Sequence, residues 1–236
     1  MVGKKWWIFG ILLAAVALCF GKWENSQYLP VFSQPEQTVA AVATSPRPEV
    51  EFPCVLRETG LILQNLARYD GLFPETEEEQ EVVDAAALMV YNPGTQWVRS
   101  VKILLRQGGQ DYLFEITYLP PNSSVLVVEK SAQRYSEAPV ESCHCLSFSS
   151  PEESLLPSEI GITDTQWGFA VENKTEREIP HLMVYYKQYI ADGDFYLGGY
   201  TYQKELTDLV SGEGRELEAY RYVPGYSRVV AAEWNK

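Results

Sequence analysis

From Phe52 to the end of this chain, apolar and polar residues alternate in short runs broken by Gly, Pro and Asn. No stretch keeps a helical period for more than a few residues, so the pattern predicts strands and an all-β fold. The clearest piece is Val98 to Tyr118. Glycine tolerates positive φ at both central positions of a primed turn, so Gly108-Gly109 predicts a tight hairpin. Pairing outward sets Arg106 against Asp111, Leu105 against Tyr112, Ile103 against Phe114, Lys102 against Glu115 and Val101 against Ile116. One face is then wholly apolar, and the other carries two opposite-charge pairs, which cross-strand energetics favour.

A second unit reads as a diverged copy of the first. The strand from Ala87 that ends at Asn92-Pro-Gly parallels the strand from Trp167 that ends at Asn173-Lys-Thr. Asp192-Gly193 takes the place of Gly108-Gly109, and Ser211–Gly214 that of Pro120–Ser123. A last strand runs through Arg228–Trp234. Two units of similar strand count, joined near Ser149–Pro157, predict tandem antiparallel β-sandwiches over 51–150 and 151–236. One larger sandwich built from both halves is the alternative.

Ahead of these lies a segment of another kind. Trp6 to Phe20 carries no charge, follows Lys4-Lys5 and is bracketed by Trp6, Trp7 and Trp23. Residues 1–23 read as a signal anchor with a spanning helix at 6–21, although the run is short for a span of about 20 residues. A cleaved signal peptide is the competing reading, with Ala15-Val16-Ala17 or Ala41-Val42-Ala43 as small-x-small sites. The lysines place the N-terminus in the cytoplasm and the remainder outside. Residues 24–50, with three prolines within 33–50 and no apolar period, read as an extended stalk.

Charge then removes several functions. Thirty-two acidic residues stand against 19 basic ones, and the basic residues at 4, 5 and 22 belong to the apolar segment. Nucleic-acid binders need a positive footprint, and an anionic membrane or wall polymer would repel this surface. No Gly-x-Ser-x-Gly, His-Glu-x-x-His or phosphate-cradling glycine loop is present, and His144 and His181 are the chain's two histidines. The expectation is a protein without catalysis, cofactor or metal. Of four cysteines, Cys19 lies in the apolar run. Cys54 opens the first unit, while Cys143 and Cys145 close it, so a bridge from Cys54 to one of the two would staple its first and last strands. A metal site including His144 is the alternative, but on a strand His144 faces away from its neighbours.

A strand ending in Asn, a hairpin, the Leu119-Pro120-Pro121 loop and a closing strand together resemble the small immunoglobulin-like and FxLYD-type domains of Gram-positive cell-surface proteins. Ala86–Lys130 and Tyr185-Tyr186-Lys187 to Leu197-Gly198-Gly199 also resemble membrane-anchored proteins of clostridial bacteria. That resemblance implies a non-catalytic protein of the cell envelope and transfers no active-site residues.

Two surfaces are candidate sites. Pairing outward from Asp192-Gly193 puts Tyr189 opposite Tyr196, Tyr185 opposite Tyr200 and Met183 opposite Tyr202, one face of rings suited to a wall glycan or an apolar peptide. Lys187 on that face implies that part of it meets water. The competing reading is plain sheet stabilisation, because aligning the two hairpins puts Tyr185 and Tyr189 where Val101 and Leu105 face the core. The acidic run Glu75–Glu81, with Asp70 and Asp84 nearby, offers oxygens for calcium but lacks the spacing of a dedicated loop. It reads as a solvated loop. The sequence thus predicts a membrane-anchored extracellular scaffold whose partner is an envelope protein or, alternatively, a wall glycan.

Overall fold

A computed structural model describes residues 50–234. The apolar segment at 6–21, Cys19 and the stalk up to residue 49 lie outside the described residues. Among the described residues no helix is long and apolar enough to cross a membrane.

The fold is all-β. Seven strands precede residue 150: β1 (Cys54–Leu56), β2 (Leu61–Leu72), β3 (Glu81–Asn92), β4 (Val98–Gln107), β5 (Gln110–Leu119), β6 (Ser123–Val128) and β7 (Val140–Ser149). Six follow: β8 (Ile160–Thr165), β9 (Gly168–Asn173), β10 (Ile179–Ile190), β11 (Phe195–Leu209), β12 (Gly214–Glu218) and β13 (Ser227–Trp234). Between β10 and β11 the chain makes one 3-10 turn, Ala191–Gly193, and leaves it through Asp194 in the left-handed region.

The same pairing scheme occurs twice. β3 lies between β2 and β6 while β4 lies between β5 and β7; β9 lies between β8 and β12 while β10 lies between β11 and β13. Within the first set, Leu63, Leu88 and Val127 of one layer meet Ile103, Leu105 and Phe114 of the other in a single core. In the second, Phe169 and Val171 meet Leu182, Val184 and Tyr186. The two sets share a sheet, because β6 pairs in parallel with β11 through Ser124–Leu126 and Phe195–Leu197. The result is one seven-stranded sheet in the order β1-β2-β3-β6-β11-β10-β13. Near this join the sheet is covered on both faces. Ala85 and Ala87 pack with Phe73 and Val128 on one side, and Ala86 and Leu88 enter the first core on the other. That accounts for the unbroken apolar run Ala85–Leu88, which an exposed antiparallel strand would not carry.

Asn92 and Asn173 show why the copies share an asparagine. Asn92 Nδ2 donates to Gln96 O and Pro120 O, and its Oδ1 accepts from Gly94 N. Asn173 Nδ2 donates to Arg177 O and Leu209 O, and its Oδ1 accepts from Thr175 N. Each side chain is buried and closes the same turn with the same two local offsets, two and four residues ahead, plus one bond to a distant carbonyl. An amide that donates twice and also accepts fits this task, which a carboxylate cannot perform.

The β4–β5 hairpin has the register expected of it, from Arg106 against Asp111 to Val101 against Ile116. Gly108 and Gly109 both have positive φ. The β10–β11 hairpin departs from expectation. Tyr189 faces Tyr196 as expected, but Tyr185 faces Gln203 and Met183 faces Glu205. Pairing jumps from Gln188–Leu197 to Tyr186–Tyr202, so Lys187 alone stands opposite Gly198–Thr201.

Candidate functional site

The bulge in β11 is the most chemically unusual place in the molecule. Gly198 takes φ +83°, and a Cβ there would lie 2.8 Å from Pro74 O. A Cβ on Gly199 would lie 1.8 Å from Glu115 O, so only glycine lets β11 press this closely on its neighbours. The extra residues turn two peptide groups edge-on to the interior. Lys187, fully buried, sends its ammonium into them and donates to Gly199 O and Tyr200 O, both at 2.8 Å, and to Thr201 Oγ1 at 3.1 Å. All three ammonium protons are therefore used.

From the other side comes Glu75, on the β2–β3 loop. Its carboxylate accepts from Val128 N at 2.8 Å, from Gly199 N at 2.9 and 3.0 Å, and from Tyr200 N at 3.0 Å. The peptides of Gly199 and Tyr200 thus give their N–H groups to an anion and their carbonyls to a cation. Burial pushes the Glu75 carboxyl up, against the three N–H bonds and Lys187 that pull it down. Burial likewise pushes the Lys187 ammonium down, against Glu75. Thr117 Oγ1 completes the cluster with bonds to Gly199 O and Thr201 Oγ1. With every donor engaged, this lysine has no free proton or lone pair for a substrate. Its arrangement supports a structural role at the join of the two sets of strands.

Two sequence expectations are corrected here. Lys187 does not meet water, because the bulge rotates it into the sheet join. The run Glu75–Glu81 is not wholly a solvated loop, since Glu75 turns inward as an acceptor for otherwise orphaned N–H groups. Glu77 and Glu78 of the same loop bond to residues of the second half. Tyr200 Oη donates to Glu77, Tyr220 Oη donates to Glu77 O, and Arg221 donates to Glu78 O. Burial and then Glu77 raise the Tyr200 hydroxyl to about 12.

The four tyrosines do not form one open face. Tyr189 and Tyr196 are 4% and 5% exposed and pack edge to face at 5.4 Å in the first core, where a sugar ring cannot reach them. Arg228 covers Tyr189 from outside, 3.4 Å from the ring centre, and Asp194 accepts from its hydroxyl. Tyr185 stacks on Tyr118 at 4.3 Å, and Tyr200 packs against the second core. The bulge divides the rings: a three-residue shift in pairing breaks a ladder that needs a constant register.

Cys54, Cys143 and Cys145 are free thiols. Cys143 and Cys145 oppose Leu105 and Ile103 of β4, whereas His144 is exposed on the other face. Among the described residues no three His, Cys, Asp or Glu side chains converge as a metal set.

Sheet edges are the remaining surface. Leu155 O accepts from Ala232 N and covers part of β13, and Leu113 of β5 is engaged by Lys130 N and Glu129 Oε1. β12 carries Arg215, Glu216 and Glu218. β7 differs: beyond Glu141 it runs Ser-Cys-His-Cys-Leu-Ser-Phe-Ser, without Asp, Glu, Lys, Arg or Pro. It pairs on one side with β4, and Leu146 and Phe148 are exposed. A groove of about 660 Å³ beside β13 is lined by Trp234 and Met183, with Arg99 paired to Glu233 and His181 in contact with Glu205.

No protein-family model matches this chain, and no curated protein or solved structure resembles it at a significant level. The molecule itself defines a class: an all-β protein of repeated strand pairing with a buried ionic cluster at the join and one long uncharged sheet edge.

Proposed function

We propose that this protein is a non-catalytic, membrane-anchored interaction or scaffolding module of the bacterial cell envelope. On this reading residues 6–21 hold it in the membrane, residues 24–50 lift it clear, and 51–150 and 151–236 are tandem immunoglobulin-like sandwiches. The repeated pairing scheme and the matched Asn92 and Asn173 turns support the tandem reading. The partner is an envelope protein that adds an extended segment to the outer edge of β7.

One observation carries this reading. Exposed edges offer unpaired N–H and C=O groups, and proteins blunt them with charge, proline or cover. On a chain of net charge −13, eight residues of β7 without Asp, Glu, Lys, Arg or Pro are left unblunted. Strand addition uses main-chain hydrogen bonds for affinity and alternate side chains for selectivity, and Leu146 and Phe148 supply the latter. A photo-crosslinking residue placed at Leu146 in living cells should give one discrete protein adduct, which the same residue at exposed Lys204 does not give. Phe148→Lys should suppress that adduct. Adducts at both positions alike, or at neither, would reject the edge as the contact surface.

A further inference from the structure

We infer that Cys54 and Cys143 form a disulfide in an oxidising compartment, leaving Cys145 as the free thiol. The sequence left the choice between Cys143 and Cys145 open; strand geometry brings the two edges together, and the contacts of each sulfur separate the two cysteines. β1 is an edge strand of the seven-stranded sheet and β7 an edge strand of the three-stranded layer that faces it. The two edges lie on the same side of the core, where Val50 N donates to Val140 O at 2.9 Å. Cys54 pairs with buried Leu63 and Cys143 with buried Leu105, so both side chains hang into the same core from opposite layers. Cys145 hangs from the same face of β7, opposite buried Ile103 and against the same core, but its Sγ donates to Ser147 O of its own strand at 3.4 Å. The environments agree with this division. Burial and then the neighbouring Cys54 push the Cys143 thiol up to about 12, whereas burial and then Glu58 raise that of Cys145.

The oxidant is a disulfide donor, and the step is exchange. The Cys54 thiolate attacks one sulfur of the donor, forms a mixed disulfide and expels a donor thiolate. Cys143, as thiolate, then attacks Cys54 Sγ and expels the second donor thiolate. Two protein S–H bonds are lost, two electrons pass to the donor, and its two thiolates take up the two protons. The bond would close the open side of the first core between its two edge strands, and it would leave Cys145 beside the uncharged edge of β7.

The test uses the full chain in detergent with Cys19→Ser, incubated under native conditions with oxidised glutathione. Remaining thiols are then alkylated in denaturant, and the protein is digested and mapped by mass spectrometry. The expected product is a Cys54–Cys143 crosslinked peptide with Cys145 alkylated. Oxidation should raise the melting temperature of the parent and of Cys145→Ser, and leave that of Cys143→Ser unchanged. A Cys54–Cys145 or Cys143–Cys145 peptide would overturn the assignment, as would three alkylated cysteines after oxidation. The peptide map of the parent decides the matter even where Cys143→Ser fails to fold.

Discussion

Replacing Lys187 by methionine keeps most of the side chain's volume and deletes one buried charge. Three acceptors, Gly199 O, Tyr200 O and Thr201 Oγ1, lose a donor, and the Glu75 carboxylate loses its compensating cation. Breaking a buried ionic arrangement by removing one member costs about 3–5 kcal/mol, because the other charge stays desolvated. Glu75→Ala should fall in the same range, since it strands three backbone N–H groups as well as Lys187. For a folded unit of this size each kcal/mol is worth about 2–4 °C, so each single variant should melt roughly 6–20 °C below the parent. The double variant separates this account from simple packing loss. Its destabilisation should fall short of the sum of the singles by about 0.5–3 kcal/mol, the range found for residues in one network. Urea unfolding followed by tryptophan fluorescence gives the free energies, and calorimetry the melting temperatures. Lys204→Met, at an exposed position of β11, serves as the control and should stay within about 0.5 kcal/mol of the parent. Single losses below about 1 kcal/mol, or strict additivity, would refute a coupled buried cluster.

Gly199→Ala places a Cβ 1.8 Å from Glu115 O and should cost more than about 3 kcal/mol in the same urea assay. Gly109→Ala, at φ +77° with open space around it, should cost only about 1–2 kcal/mol for the left-handed backbone. Asn92→Ala removes three side-chain hydrogen bonds and Asn173→Ala four, and each should cost about 2–3 kcal/mol. A loss at one asparagine and none at the other would show that the two turns are not equivalent. The Glu115 carboxyl is pushed up by burial but held below its ordinary value by Lys102 and Lys130, at 2.7 and 2.5 Å. A lowered folded value means a contribution that is present above the ordinary carboxylate pKa of 4.5 and is lost as pH falls through the lower folded value. Glu115→Gln should therefore cost less than about 1 kcal/mol at neutral pH, and the difference should vanish in urea titrations carried into acid.

Two hairpins of similar length were unequally legible in the sequence, and the reason is physical. In β4–β5 the turn glycines, the apolar alternation and the opposite-charge pairs all specify one register, so local information suffices. In β10–β11 the turn sets the first pairs, and Tyr189 does meet Tyr196. Beyond Gln188 the register is set by groups more than 70 residues away, Pro74, Glu75 and Glu115, and no local pattern carries their positions. The doublet Gly198-Gly199 was the available signal, since glycine inside a strand marks a bulge or a close backbone approach. Glu75 gave no signal, because a buried acceptor inside an acidic run has the same composition as its solvated neighbours. The asparagine turns were legible for the opposite reason: their bonds reach mostly two to four residues along the chain, so the local sequence repeats with them.

The position of the ionic cluster explains why a marginal arrangement is placed where it is. The two sets of strands are joined in the shared sheet by only three parallel residue pairs, Ser124–Phe195, Val125–Tyr196 and Leu126–Leu197. Three pairs specify register weakly, and a slip of one residue would send every side chain to the opposite face. Glu75 accepts from Val128 at the end of β6 and from Gly199 and Tyr200 in β11, so one carboxylate reads both strands across the join. A slip would strand that carboxylate without its donors, and Lys187 would lose the two carbonyls that only the bulge presents. The wrong register thus carries two unsatisfied buried charges, a penalty of several kcal/mol each, whereas an apolar contact at the same place would tolerate the slip. The cluster adds little net stability by this argument, but it fixes how the two halves meet.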